Sequence, residues 1–387
     1  MDFSLSEEQQ LIVDSTRRFV QDELVPHEAE VERSGELREE LRRELKARAQ
    51  AAGLYAANMP AEVGGAGLEG VSWVLYEKEL GYTNYALQYG CVARPSNILL
   101  ACAGEQRERY LLPAVRGERT ECLAMTEPDA GSDLRGMKTT ATERGGDFII
   151  NGTKHFISHA DHSDFVILFA ASGEEDSPRG RRKLITALLV DMGTPGFEVR
   201  RGYQNVSHRG YNNSILQFSD CRVPRTAVLG EVHRGFEVAN TWLGATRLQV
   251  AANCLGRAER ALALATSWAA ERRQFGQQIG KFQGVAFKLA DRAVELRAAE
   301  LLTLEAAWKL DRNSATDADM AIAKLKASEM LAMVADEALQ IHGGMGLMSE
   351  LPLERIWRDA RIERIWDGTS EVQRHIISRS LLRPLGG

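Results

Sequence analysis

No apolar run in this chain approaches the roughly 20 residues that a membrane-spanning helix needs. Cysteine is sparse. Cys91, Cys102, Cys122, Cys221 and Cys254 are scattered, without metal-like or redox spacing. That excludes a disulfide framework and predicts buried, reduced thiols in a reducing compartment. Positive charge is not in excess: 48 Lys and Arg face 54 Asp and Glu, so nothing favours nucleic acid or an anionic membrane as partner. No Gly-rich phosphate loop follows a strand, which removes the Rossmann and P-loop classes. Internal repeats and low-complexity segments are missing too. The first residues, Met1 to Glu8, carry acid where a leader peptide is basic, so a soluble, cytoplasmic protein is expected.

What is present falls into three textures, and 387 residues suffice for three cored domains. Residues 1–120 read as helical. Ser6-Glu7-Glu8-Gln9 resembles a capped start, followed by a stripe at Leu11, Ile12, Ser15, Phe19 and Val20. Further helices are predicted at 37–52, 72–80, 94–103 and 105–112, the last ending at Pro113. Pro60 to Gly67 is a Gly-rich loop. Residues 121–231 read as short strands, with Gly145-Gly146 and Asn151-Gly152 as hairpin signals. Regular strand spacing predicts a small antiparallel barrel or sandwich. Ser172 to Lys183 reads as a polar loop with Arg179, Arg181, Arg182 and Lys183, either a solvated tip or a phosphate contact. Residues 232–387 return to long, Ala-rich helices. Phe282, Ala286, Leu289, Ala293 and Leu296 have bundle-face spacing, which predicts a four-helix bundle. Helices, then strands, then helices make an α+β chain.

Arg358 to Arg379 carries the most chemistry. Ile362, Ile365 and Trp366 share a helical face, the pattern breaks at Asp367-Gly368-Thr369-Ser370, and Glu371 opens a second amphipathic run. Gly368 marks a forced bend. Thr369 or Ser370 is the expected N-cap. Asp367 is either an ordinary turn residue or a carboxylate placed beside a helix N-terminus.

Asp-Gly-Thr-Ser-Glu-Val-Gln-Arg at 367–374 resembles the C-terminal signature of the acyl-CoA dehydrogenase flavoproteins, in which the first position is usually a catalytic Glu. Three further stretches are similar to family signatures. Thr126-Glu127-Pro128-Asp129-Ala130-Gly131-Ser132-Asp133 resembles Thr-Glu-Pro-x-Ala-Gly-Ser-Asp; Arg272 to Gly276 with Phe282-Gln283 resembles Arg-x-x-Phe-Gly…Phe-Gln; and Gln340 to Gly346 resembles Gln-x-x-Gly-Gly-x-Gly. The resemblance implies an FAD site. Leu123, Met125, Thr126, Gly131 and Ser132 would line the flavin. Phe156 would cover it, standing where the family has Trp, and Ser158 would bond near it; read without the family, Phe156 is equally a core residue. Arg272, Gln274, Phe275 and Gln283 would meet the pyrophosphate region. Gln340, Gly343 and Gly344 would reach the FAD of a neighbouring subunit, which implies a homotetramer. Thr369 and Glu371 would contact FAD; Ser132, Arg247, Gly368 and Arg379 would contact acyl-CoA.

The implied reaction is α,β-dehydrogenation of an acyl-CoA to its 2-enoyl-CoA, with Asp367 as base and an electron-transfer flavoprotein as acceptor. Gly244, Ala245 and Thr246 supply no acid at the other base position the family uses. Asp is one methylene shorter than Glu, a setback of roughly 1.5 Å, which suits a branched or cyclic acyl group. Two alternatives accompany this reading: a nitroalkane-oxidase-like enzyme, which also uses Asp, and a DNA-associated relative, which the acidic balance disfavours. His155, His159 and His162 lie close in sequence but lack a zinc-like spacing, so no metal is expected.

Overall fold

The computed structural model describes residues 4–92, 94–177 and 180–385. Its architecture is α+β: helices, a curled sheet, then helices. Helix Glu7–Phe19 begins as anticipated. Ser6 Oγ accepts from Gln9 N–H and the Gln9 side chain accepts from Ser6 N–H, both at 3.1 Å. Its buried face is Val13, Thr16 and Phe19, whereas Leu11, placed in the stripe by spacing, is exposed. Helix Glu39–Ala51 stops just before Gly53, at φ +71°. Helix Gly70–Leu80 follows, then Tyr85–Cys91, which was not foreseen and is capped by Asn84. The expected helix 94–103 is only a 3-10 turn, Asn97–Ala101, because Pro95 holds the chain extended just before it. Nor does Pro113 end its helix. A π turn, Arg107–Leu111, leads into Leu112–Val115, where Pro113 occupies the first turn and its missing N–H costs nothing.

Eight strands form one sheet: β1 Glu121–Ala124, β2 Thr140–Arg144, β3 Asp147–Ser158, β4 Phe165–Ser177, β5 Gly180–Asp191, β6 Phe197–Arg201, β7 Asn213–Pro224 and β8 Val228–Leu229. The order is β6-β7-β3-β2-β4-β5-β8, with β1 added on β4. Three expectations change. The sheet is a mixed, open path rather than a closed antiparallel barrel, since β1 and β2 both pair β4 in parallel. Gly145-Gly146 makes the β2–β3 hairpin, but Asn151-Gly152 makes a bulge inside β3, where a Cβ on Gly152 would meet Thr139 at 2.5 Å. The polar loop 172–183 is instead the outer end of the β4–β5 ribbon. Arg181 pairs with Glu174, Arg182 with Glu175, and Lys183 donates to the Met137 carbonyl, so these cations are already engaged. Arg179 lies outside the described residues.

The C-terminal part is built on helices Gly235–Glu271, Gln283–Leu310 and Asp317–His342, with Leu353–Ala360 and Ser370–Leu382 against them. Alanines fill their contact, and all five cysteines of the chain are free and buried. The first long helix also crosses Gly70–Leu80 at very short range: a Cβ on Gly256 would lie 2.0 Å from the Lys78 carbonyl oxygen. A buried network fixes the same junction. Glu28 accepts from Thr83 Oγ1 at 2.8 Å and from Arg260 Nη1 at 2.7 Å, with Arg355 at 3.1 Å. Burial pushes the Glu28 carboxyl up, but these cations override it and hold it below the usual range. Gly256→Ala should therefore destabilise the protein by about 1–3 kcal/mol through overpacking. Thermal unfolding checks this; an unchanged midpoint contradicts so close a crossing.

Candidate functional site

The chain leaves helix Leu353–Ala360 through a 3-10 turn at Ile362–Arg364 rather than as the continuous helix that Ile362, Ile365 and Trp366 suggested. It then turns sharply. Asp367 has φ +51° and Gly368 φ +89°, so two successive residues are left-handed; Asp tolerates this better than most residues. Thr369 caps the next helix, its Oγ1 accepting from Val372 N–H at 3.2 Å. Buried side chains hold the bend from beneath. Lys324 Nζ donates to the Gly368 carbonyl at 2.8 Å, and Gln373 Nε2 donates to the carbonyls of Asp367 and Gly368 at 3.1 and 2.9 Å.

Two acids four residues apart have opposite environments. Desolvation pushes the Asp367 carboxyl up to about 6, and the nearby Glu363 charge adds to this; Lys324, the Thr246 hydroxyl and Arg247 act against it. Burial pushes Glu363 up as well, but Arg257, His208 and Trp366 override it and hold the group at about 2. Arg257 Nη1 donates to its Oε1, and Trp366 Nε1 donates to Oε2 at 2.7 Å. Glu363 is thus a permanently ionised, fully engaged anion. Asp367 is the acid near neutrality with accessible surface. Such a split assigns proton-transfer work to Asp367.

Around it stands an aromatic wall. Trp366 packs on Tyr85 with ring centroids 5.0 Å apart, Tyr85 stacks on His208 at 4.5 Å and meets Tyr211 edge-on at 4.8 Å. Both Tyr85 and Tyr211 lie within range of the Asp367 charge.

The loop after β1 is stitched to β3. Lys154 Nζ donates to the Met125 carbonyl at 2.9 Å and to Glu127 Oε1 at 2.7 Å, while His155 N–H donates to the Thr126 carbonyl at 3.0 Å. Met125 is buried, Leu123 and Thr126 are partly so, and Gly131 and Ser132 are exposed. Phe156 is not a core residue. It sits at a register shift in β3 with φ +56°, an outlier for a bulky side chain, and its ring is 53% exposed beside Tyr203. Ser158 Oγ donates to Asn213 Oδ1 at 3.1 Å. An unburied aromatic ring held in a strained conformation fits one face of a flavin.

A second group gathers at the far ends of the long helices. Phe275 (φ +49°) and Gly276 (φ +81°) turn the two-residue hairpin that carries Gln274, and Phe275 is 94% exposed. Arg272 lies over the Trp268 ring, which stacks on His342 at 5.0 Å; Gln283, Gln340, Gly343 and Gly344 are all exposed. Arg272 has no carboxylate partner among the described residues, as a phosphate-binding guanidinium requires. Arg247 is buried beside Asp367 with its Nε unpaired and one nitrogen 3.2 Å from Asp317. Glu371 and Arg379 are exposed on the last helix. Among the described residues no cluster of three or more metal-ligating side chains occurs.

Sequence reasoning missed Lys324, Glu363, Tyr85 and Tyr211, and it dismissed Thr246 as merely lacking an acid. Lys324 left a signal: it interrupts the buried series Met320, Ala327, Leu331 at helical spacing, where a cation needs a reason.

Because folding raises the Asp367 pKa from 3.8 to about 6, its native state binds the proton more tightly than the unfolded chain. This group's contribution is present at acid pH and lost as pH rises through about 6. Asp367→Asn should therefore melt several degrees above the parent at pH 8, with the gap closing toward pH 4. A pH-independent gap contradicts the desolvated carboxyl.

Comparison with known proteins agrees with this geometry. Three family descriptions match: acyl-CoA dehydrogenase N-terminal domain at residues 6–118, middle domain at 122–221 and C-terminal domain at 233–382. Human mitochondrial short-chain specific acyl-CoA dehydrogenase is 35% identical, over 98% of this chain and 91% of the relative. A caffeyl-CoA reductase-Etf complex subunit of Acetobacterium woodii is also 35% identical, over 98% and 99%. Among solved structures, butyryl-CoA dehydrogenase from Megasphaera elsdenii has a TM-score of 0.89 at 34% identity, covering 99% of this chain and 100% of that one. An FAD complex of PigA has a TM-score of 0.91 at 29% identity, with 100% of both chains covered. The chain belongs to the acyl-CoA dehydrogenase family of FAD-dependent oxidoreductases.

Proposed function

We propose that this chain converts an acyl-CoA thioester to its 2-enoyl-CoA, with Asp367 removing the α-proton. The observation that carries the reading is the Asp367 carboxyl near pKa 6 at a strained bend, next to a second acid that cannot serve. A base must be ionised when substrate arrives yet strong enough to take a proton from carbon, and a pKa near the working pH meets both needs. Lys324 and Gln373 fix the backbone of the bend, so the shorter side chain of Asp is aimed by the main chain rather than by rotamer choice. The Asp367 N–H would help hold the thioester oxygen where enolate charge develops. Bound FAD supplies the acceptor for the hydrogen that leaves Cβ as hydride. Leu123, Met125, Thr126, Gly131, Ser132, Phe156 and Ser158 would hold its ring system, with Thr369 and Glu371 beside them.

The setback of Asp relative to Glu and the aromatic wall of Trp366, Tyr85 and Tyr211 together support a branched or cyclic acyl group. We further infer that the helical end bearing Arg272, Gln274, Phe275, Gln283, Gln340, Gly343 and Gly344 serves an FAD shared between subunits of a homotetramer. Helix Gln283–Leu310 supports this: Phe287, Val294, Leu301 and Trp308 are exposed at seven-residue intervals, a seam that one chain leaves uncovered. We also place the domain limits at 1–120, 121–231 and 232–387, with a four-helix bundle in the last. A relative named as part of an Etf complex supports an electron-transfer flavoprotein as acceptor. No described helix is long and apolar enough to cross a membrane, in keeping with a cytoplasmic enzyme.

Anaerobic mixing of the FAD-loaded protein with linear, α-branched and alicyclic acyl-CoAs tests the proposal by bleaching of the flavin. Branched or cyclic esters should bleach it fastest. Asp367→Asn should retain FAD and lose at least about 1000-fold in rate. Bleaching that persists in that variant means another base, and rapid reoxidation by oxygen means a nitroalkane-oxidase-like enzyme instead.

A further inference from the structure

Arg94 stands out among the buried cations because half of it is unused. Its side chain is 3% exposed, and Nη1 donates to Glu77 Oε2 at 3.0 Å. That same carboxylate oxygen accepts from Asn253 Nδ2 at 2.7 Å. Nε and Nη2 of Arg94 have no hydrogen-bond partner, and the guanidinium otherwise meets only the Tyr89 ring, at 5.5 Å from its centre. They are buried N–H donors on a full positive charge, which a fold leaves unpaired only at a cost unless something else arrives to pair them.

Arg94 lines a cavity of about 30 Å³ with Tyr89, His159 and the buried carboxyl of Glu121, which accepts from Ser96 N–H and which burial pushes up. Three more cations border the same space, but each is engaged elsewhere. Arg42 pairs with Glu39, Lys46 donates to the Gly117 carbonyl, and Arg119 pairs with Asp191. His159 offers no charge, since burial pushes its imidazole down to about 3, and its Nε2 also lacks a partner. The cavity has room for one oxygen-bearing group, close to the volume of a single water. A layer of rings separates it from the reaction site. Tyr89 stacks on His159 at 4.8 Å and meets Tyr211 edge-on at 5.3 Å, and Tyr85 and Tyr211 feel both the Arg94 and the Asp367 charges. The hydroxyls of Tyr85 and Tyr89 donate to no described residue. A plain alkyl tail entering this region would seal polar groups against methylene; an oxygen acceptor on the tail would satisfy them.

We propose that Arg94 is a specificity-determining residue that receives an oxygen atom at the far end of the acyl group, as a hydroxyl, carbonyl or carboxylate. This inference rests on the acyl-CoA dehydrogenation reading and narrows its substrate class from hydrocarbon tails to oxygenated ones. Arg94 acts on binding and takes no part in proton transfer.

The test compares acyl-CoAs of equal length ending in methyl, hydroxyl, keto or carboxylate, read as kcat/KM for anaerobic flavin bleaching by the FAD-loaded protein. The parent should favour at least one oxygen-ended ester over its methyl-ended match by about tenfold or more. Arg94→Met should collapse that ratio to within about threefold, and Arg94→Lys should restore part of it. The ranking in the parent needs no variant to fold. Methyl-ended esters used equally well or better overturn the inference, because a buried water then suffices for Arg94. A preference that persists in Arg94→Met overturns it as well. Bleaching by methyl-ended esters alone leaves the dehydrogenation reading intact, whereas bleaching by none of the panel removes that reading instead.

Discussion

The left-handed turn at Asp367 and Gly368, clamped from below by Lys324 and Gln373, is the constraint on which the site depends. A carboxylate becomes a useful base only if it is denied water without being given a strong partner. The bend does the first by turning residue 367 toward the helix that bears Thr246 and Arg247. Placement of the other charges does the second. Arg257 is spent on Glu363, and Lys324, the cation that acts most strongly on Asp367, spends its hydrogen bond on a carbonyl. Had either bonded directly to Asp367, its pKa would fall well below neutrality and its basicity with it.

The rest of the fold serves that arrangement. The Gly256 crossing and the Glu28 network lock the N-terminal helices against the helix carrying Thr246, Arg247 and Arg257. The same lock brings Tyr85 beside the bend, with Arg94 within range of Tyr85. The sheet contributes through one irregular strand: the register shift near Phe156 turns an aromatic ring outward and continues through Ser158 to His159. Three parts of the chain, distant in sequence, thereby meet at one carboxyl.

Much of this was legible because it depends on local chemistry. The Ser6 capping box, the Gly145-Gly146 hairpin, the Thr369 cap and the Asp367 bend are written in a few adjacent residues each. Failures arose where a local signal met a tertiary demand. Asn151-Gly152 has hairpin chemistry, yet β3 needs a bulge there to pass Thr139. Polar residues 172–183 look like a loop, yet cross-strand pairs such as Arg181 with Glu174 extend the ribbon. Pro113 looks like a stop, yet a π turn delivers it to a position that needs no N–H. The partners of Asp367 were hidden for a related reason. Lys324, Glu363, Thr246 and Tyr85 come from separate elements, and only their packing turns ordinary core positions into an electrostatic setting.

One desolvated carboxyl must lose its proton before an acyl-CoA can react. The most direct test is the pH dependence of flavin reduction at limiting acyl-CoA, where the rate constant reports the titration of the free enzyme, measured anaerobically by stopped flow. The rate should be level at alkaline pH and fall about tenfold per unit below a single midpoint near 6. A rate unchanged between pH 5 and 8 would contradict it.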